Sequence, residues 1–284
     1  MNIHPECLPC VVNQAVRTAR MTGAKEPEEL YRKIFAHMSQ LDFQKTNPEI
    51  IGETFAIIKA HLGTDDPYRD TKARYNRRFM DWVARHEQSI PTLEDALMYA
   101  AAANIIDFNP VHQDVEAQIH RQLAEVNEAR FARLDTDLLR RDLSTARTVL
   151  YLGDNCGEIC FDKLVIQRIR EACPHCRVYF GVRGQPVVND ATAGDAAMVG
   201  MEEVATVIPN GDGSLGTVLR RVSPAFLDIW RKADVVIAKG QGNYESLCQE
   251  SKPVYFLMTV KCGVVARMTG YPQGSLLCMR QIAE

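Results

Sequence analysis

The sequence predicts an α/β protein in which an all-α N-terminal half precedes a doubly wound, mostly parallel sheet. Three observations predict it. Apolar residues recur three and four apart from about residue 6 to 143, the pattern changes after RRDLSTAR to short β-rich apolar runs, and helical stretches separate most of those runs. Strands of continuous apolar character alternating with helices are buried on both faces, which calls for parallel pairing through crossover helices.

In chain order, CVVNQAVRTARMTG, PEELYRKIFAHMSQL, PEIIGETFAIIKAHLG, RYNRRFMDWVARHEQ and TLEDALMYAAAANIIDF read as amphipathic helices with Pro, Gly and Asn near their ends. No period repeats well enough to indicate a solenoid. TVLYLGDN, CRVYFGVRG, ATVIPNG, ADVVIAKGQG and KPVYFLMTV then read as strands, and EICFDKLVIQRIREAC, DATAGDAAMVGM, SPAFLDIWRKA and NYESLCQES as the intervening helices. The change of pattern divides the chain into a helical domain over 1–145 and an α/β domain over 146–284.

Open α/β sheets gather ligands where loops leave the carboxyl ends of the strands. The loop after the first strand carries Asp154, Asn155 and Glu158, and the loop after the second carries Arg183, Asn189, Asp190 and Thr192. The fourth strand runs into Lys239, Gly240, Gly242, Asn243 and Glu245. Hard oxygen ligands suit Mg²⁺ or Mn²⁺, for which two Asp and one Asn suffice because water and substrate complete the shell. Glycines near a helix start let backbone N–H groups approach an anion such as phosphate, and Lys239 would add a point charge. Each residue also has a plainer role: Asp154 as a helix cap, Asn155 and Asn189 as turn residues, Glu158 complementing a helix dipole, and Lys239 as a solvated strand-end lysine. The loop after the first strand lacks GxGxxG and carries an acidic side chain where a dinucleotide fold needs glycine, and no GxxxxGK[ST] occurs, which disfavours a dinucleotide or P-loop site.

Composition narrows the class. The chain has 284 residues, 46% hydrophobic, and a formal charge of -3, enough for one large core or two ordinary ones and no advertisement of a nucleic-acid surface. No apolar run approaches a membrane span and the N-terminus lacks a signal-peptide layout, so a cytoplasmic location without a membrane partner is expected. Nine cysteines, an odd number, point to mostly reduced thiols. Two CxxC pairs, Cys7/Cys10 and Cys173/Cys176, could share a zinc ion or be ordinary buried and loop residues. The first pair heads a helix, where the dipole is expected to lower thiol pKa.

CLPCVV at 7–12, NIIDF at 104–108, GDNCGE at 153–158, RGQPVVNDAT at 183–192 and KGQGNYE at 239–245 together resemble the DUF89 family, the metal-dependent damage-control phosphatases, in its prokaryotic branch with an N-terminal CxxC. The resemblance implies a helical domain packed on a Rossmann-like sheet domain, with a divalent metal (Mg, Mn, Co or Ni) held by Asp154, Asn155 and Asp190. It also implies that Asn104 and Asp107 face an interdomain cleft; on their own they read as a helix-end Asn and a turn Asp. The sequence departs from the family at Cys156, where a small residue such as Ala is common, and at Asn109-Pro110, where Gly is common. The implied activity is hydrolysis of small phosphorylated metabolites, by water attack or through a phosphoenzyme on Asp154. Lys239 and Glu158 would assist catalysis, and Asn104, Asp107, Arg183, Asn189, Gly240, Gly242, Asn243 and Glu245 would line the substrate site. A non-catalytic metal- or nucleotide-binding regulator is the alternative, and a zinc or redox module built on the cysteine pair is a third reading.

Overall fold

A computed structural model describes residues 1–103 and 131–281. The N-terminal segment folds into α1 (Leu8–Thr22), α2 (Pro27–Met38), α3 (Asn47–Leu62), α4 (Arg69–His86) and α5 (Leu93–Ala102). Local chemistry sets several boundaries. Proline occupies the first turn of α1, α2 and α3, where its missing N–H costs nothing. Thr46 and Thr92 close capping boxes with Glu49 and Asp95.

From residue 131 the chain runs β1 (Phe131–Leu134), α6 (Thr136–Thr145), β2 (Thr148–Leu152), α7 (Ile159–Ala172), β3 (Arg177–Val182), α8 (Ala193–Met198) and β4 (Thr206–Pro209). It continues through α9 (Pro224–Lys232), β5 (Val235–Lys239), α10 (Gly240–Leu247), β6 (Val254–Thr259), α11 (Gly263–Thr269) and β7 (Leu276–Gln281). The sheet order is β1-β7-β6-β5-β2-β3-β4, and among the described strands only the β6–β7 pairing is antiparallel. Strands β2 to β6 are the five apolar runs of the sequence. Strand β1 corrects the reading of an all-α region to about residue 143, and β7 adds a strand that the sequence reading did not include.

The sheet's alternation shares both halves of the chain between two cores. Val149 and Tyr151 of β2 pack with Phe79 and Trp82 of α4 and with Leu97 of α5, whereas Leu150 and Leu152 pack with Val11, Ile34 and Phe55 of α1 to α3. The helical segment therefore covers both faces of the sheet. Helices α3 and α4 accordingly reach the strand ends from opposite sides.

The two CxxC pairs are separated by this arrangement: Cys7 belongs to one core and Cys176 packs against the other, so a shared zinc site is not formed. Cys173 and Cys176 are joined as a disulfide, while the other seven cysteines are free.

Candidate functional site

Three adjacent parallel strands, β5, β2 and β3, end side by side and deliver Lys239, Asp154 and Arg183 to one place. The chain leaves β2 for β3 on one side and returns through β5 on the other, which makes this the topological switch point of the sheet. The loops after β2 and β3 are then stitched together. Ala191 N–H donates to the Asp154 carbonyl at 2.8 Å and Cys156 N–H to the Asn189 carbonyl at 2.9 Å, so Asn155 pairs with Asp190 as in a short antiparallel ladder. Val188, two residues before Asp190, has φ 46°, a strained value for a β-branched residue.

The helix after β2 begins at Ile159 with Glu158 at its cap, so Asp154 is not a helix cap. The carboxylate of Asp154 lies instead over the start of α10. Gly240 has φ +76°, and a Cβ there would overlap the Asp154 carboxylate, which requires glycine at this position. The GQG glycines, expected near a helix start, form the first turn of α10.

Asn155 Nδ2 donates to Asp154 Oδ2 at 2.9 Å and to Glu158 Oε1 at 2.6 Å. Arg183, 2% exposed, donates through Nε to Asp190 Oδ2 at 2.6 Å and places Nη2 3.6 Å from Asp154 Oδ1. Asn243 buttresses the floor, donating to the Lys239 carbonyl at 2.7 Å and the Gly153 carbonyl at 3.2 Å and accepting from Thr217 at 2.8 Å. Asp190 is 1% exposed, and its Oδ1 has no hydrogen-bond partner among the described residues. Burial raises the pKa of both Asp154 and Asp190; neighbouring carboxylates add to this and Arg183 opposes it.

Lys239 is not the solvated strand-end charge of its plainer reading. It is 0% exposed, with Nζ 3.0 Å from Glu158 Oε2 and 3.0 Å from Asp162 Oδ1. Burial pulls the ammonium toward neutrality, but Asp162 and Glu158 overcome it and hold the pKa above its ordinary value. Asp162 was absent from the sequence reading; its signal is a carboxylate four residues after Glu158 on an otherwise apolar helix face. Lys261, just beyond β6, is exposed and is the strongest of the positive charges opposing the rise in the Asp154 pKa.

The remaining candidates are arranged around this centre. Asn189 contributes its backbone carbonyl to the stitched loops. Gly242 packs against the Leu215 carbonyl, admitting the loop after β4 with its buried Asn210, Asp212, Ser214 and Thr217, none of which the sequence pattern singled out. Glu245 faces outward from the centre to Asn47 at 2.9 Å and Gln241 at 2.8 Å. Asn104 and Asp107 lie outside the described residues.

Asp154, Glu158, Asp162 and Asp190 bring four carboxylates together against the buried cations Lys239 and Arg183. A formal excess of two negative charges, an orphaned buried Asp190 oxygen and an all-oxygen donor set fit a hard divalent cation. The thiols of the N-terminal pair do not suit the same chemistry. Burial pushes Cys7 up to about 11, and Cys10, although its surface is exposed, is raised by partial desolvation from its surroundings, against the expectation of helix-lowered values.

The chain matches the family model described as damage-control phosphatase ARMT1-like domain over residues 3–277. It is 33% identical to a damage-control phosphatase of Pyrococcus horikoshii, covering 99% of this chain and 98% of that protein. It is 28% identical to a damage-control phosphatase of Archaeoglobus fulgidus, covering 98% of each. The crystal structure of a DUF89 family protein from Pyrococcus horikoshii superposes with a TM-score of 0.87 at 31% identity, over 99% of each chain.

Proposed function

The chain belongs to the ARMT1-like damage-control phosphatase (DUF89) family, and from that premise we propose that it is a metal-dependent phosphatase acting on small phosphorylated metabolites. The observation that carries this reading is the excess of buried oxygen ligands over protein cations at the sheet's switch point. Asp154, Asn155 and Asp190 are the residues that would hold the cation. When bound, a hard divalent ion supplies Lewis-acid charge to a phosphoryl oxygen.

The chain's own groups supply the rest. Arg183 offsets part of the charge of Asp154 and Asp190, so both carboxylates are kept at short range in a buried site. Lys239 does the same one layer deeper for Glu158 and Asp162 and fixes the base of the site rather than meeting substrate. Lys261, exposed at the rim, is the cation available to phosphate oxygens, together with the backbone N–H groups that open α10. A water attacks phosphorus in line, its O–P bond forming as the bond to the leaving alkoxide oxygen breaks and its proton passing through solvent to that oxygen, while these groups neutralise the equatorial oxygens.

Hydrolysis of a generic aryl phosphate tests the proposal. Activity should vanish in chelator and return with Mn²⁺, Co²⁺, Ni²⁺ or Mg²⁺; equal turnover in chelator and in metal would reject it. Asp190→Ala should weaken metal binding in calorimetry as well as turnover, and undiminished binding would remove Asp190 from the ligand set. A panel of phosphorylated metabolites assayed under the restored conditions would then identify the substrate.

A further inference from the structure

The two loops that carry the proposed metal ligands are also tied together from behind, by a residue of the helical segment. Asn76 of α4 is 0% exposed and sits between them. Its Oδ1 accepts a 2.6 Å hydrogen bond from the N–H of Gly157, two residues beyond Asn155. Its Nδ2 donates to Asp195 Oδ1 at 3.1 Å. The other oxygen of Asp195 accepts from the N–H and hydroxyl of Thr192, at 3.0 and 2.8 Å, two residues beyond Asp190. Lys72, one helical turn before Asn76, anchors Asp195 at 3.0 Å and Asp66 at 2.8 Å.

We propose that Asn76 is a positioning residue for the metal site: it fixes the separation of the Asp154–Asn155 loop from the Asp190 loop, and α4 thereby sets how tightly the site holds a divalent cation. The inference rests on the ligand set Asp154, Asn155 and Asp190 proposed above. A side-chain amide can accept from one loop while it donates to the other, and Asn76 does both. The contact is also rigid on the Gly157 side, where φ is +79° and a Cβ would lie 2.9 Å from the ring of Phe79, three residues along α4. Supports of this kind, which act on the backbone two residues from each ligand, hold ligand atoms in place before a metal arrives.

The test exchanges donor and acceptor. In Asn76→Asp two carboxylates face each other, and in Asp195→Asn two amides do, so each single variant breaks the tie. In the double variant Asn76→Asp/Asp195→Asn, the introduced carboxylate accepts from Gly157 and from the introduced amide, whose oxygen accepts from Thr192. Mn²⁺ titration of the full-length, chelator-stripped proteins by calorimetry, below every variant's melting temperature, should show each single variant weakened about 10- to 100-fold and the exchange variant restored. KM for an aryl phosphate at saturating Mn²⁺ should be unchanged throughout. Single variants that melt earlier without metal yet bind Mn²⁺ as the wild type does would make Asn76 a purely structural residue and overturn the inference. If a single variant does not fold, the exchange variant decides: wild-type Mn²⁺ affinity supports the inference, and weakened affinity in a folded protein overturns it. A wild-type protein that binds no Mn²⁺, Mg²⁺, Co²⁺ or Ni²⁺ would instead remove the ligand set itself, an outcome visible before any variant is made.

Discussion

Two lysines follow neighbouring strands of the sheet and face opposite demands. Lys239 ends β5 with no exposed surface, and both of its neighbours at 3.0 Å are carboxylates. Lys261 follows β6, is exposed, and acts on Asp154 through its charge. One is a counter-ion whose loss would strand buried anions, and the other is a cation that a dianionic ligand can claim. Burial and partners, not position at a strand end, separate a lysine that maintains a site from one that serves it.

The largest expected effect follows from Lys239. Lys239→Ala leaves Glu158 and Asp162 facing each other without their cation, and removing one member of a buried ionic cluster costs about 3–5 kcal/mol. Urea unfolding of the metal-free protein should show that loss; unchanged stability would break the contrast by making the cluster dispensable. Lys261→Ala should reverse the pattern, with the unfolding midpoint unchanged and kcat/KM reduced about 100-fold, roughly 2.7 kcal/mol of transition-state stabilisation. Full activity in that variant would leave phosphate binding to the α10 backbone alone.

Acidity sharpens the description of the deep layer. Burial, partly opposed by Lys239, raises Asp162 to about 6. A carboxyl whose folded pKa lies above its unfolded value contributes stability at low pH that is lost as pH rises through the folded value. Wild-type stability relative to Asp162→Asn should therefore fall between about pH 4 and 6, with a slope no steeper than about 1.4 kcal/mol per unit. A rising difference over that window would mean that attraction to Lys239 outweighs burial.

Much of the fold was legible because β2 to β6 are short apolar runs bounded by turn residues, and because the ligand-bearing loops follow them directly. Strand β1 was not, since FARL is largely exposed at the sheet edge and shows no buried alternation. The loop at 210–217 was hidden for the opposite reason. It is polar and glycine-rich in sequence, yet Asn210, Asp212, Ser214 and Thr217 are buried because Gly52 of α3 and Gly242 of α10 let its backbone approach. The roles of Asn76 and Asp195 depend on contacts 119 residues apart in the chain, which no local pattern encodes. For Lys239, sequence indicated the place and left burial, which decides the role, to the tertiary structure.

The smallest expected effect belongs to the N-terminal cysteines. Their position at the head of α1 favours thiolates, but desolvation is the larger influence: Cys7 is pushed up to about 11, and Glu245 and Cys262 act in the same direction on both thiols. At neutral pH the pair is held as thiols, poor ligands and slow nucleophiles. The proposed hydrolysis uses oxygen ligands throughout, so nothing in it calls on sulfur. A Cys7→Ser/Cys10→Ser variant should keep more than about a tenth of the wild-type rate, a loss below roughly 1.4 kcal/mol, and alkylation of the native thiols at pH 7 should be slow. Loss of all activity with native circular dichroism and native metal content would place these thiols in the chemistry, and the division between a working oxygen-rich centre and a protonated thiol pair would fail.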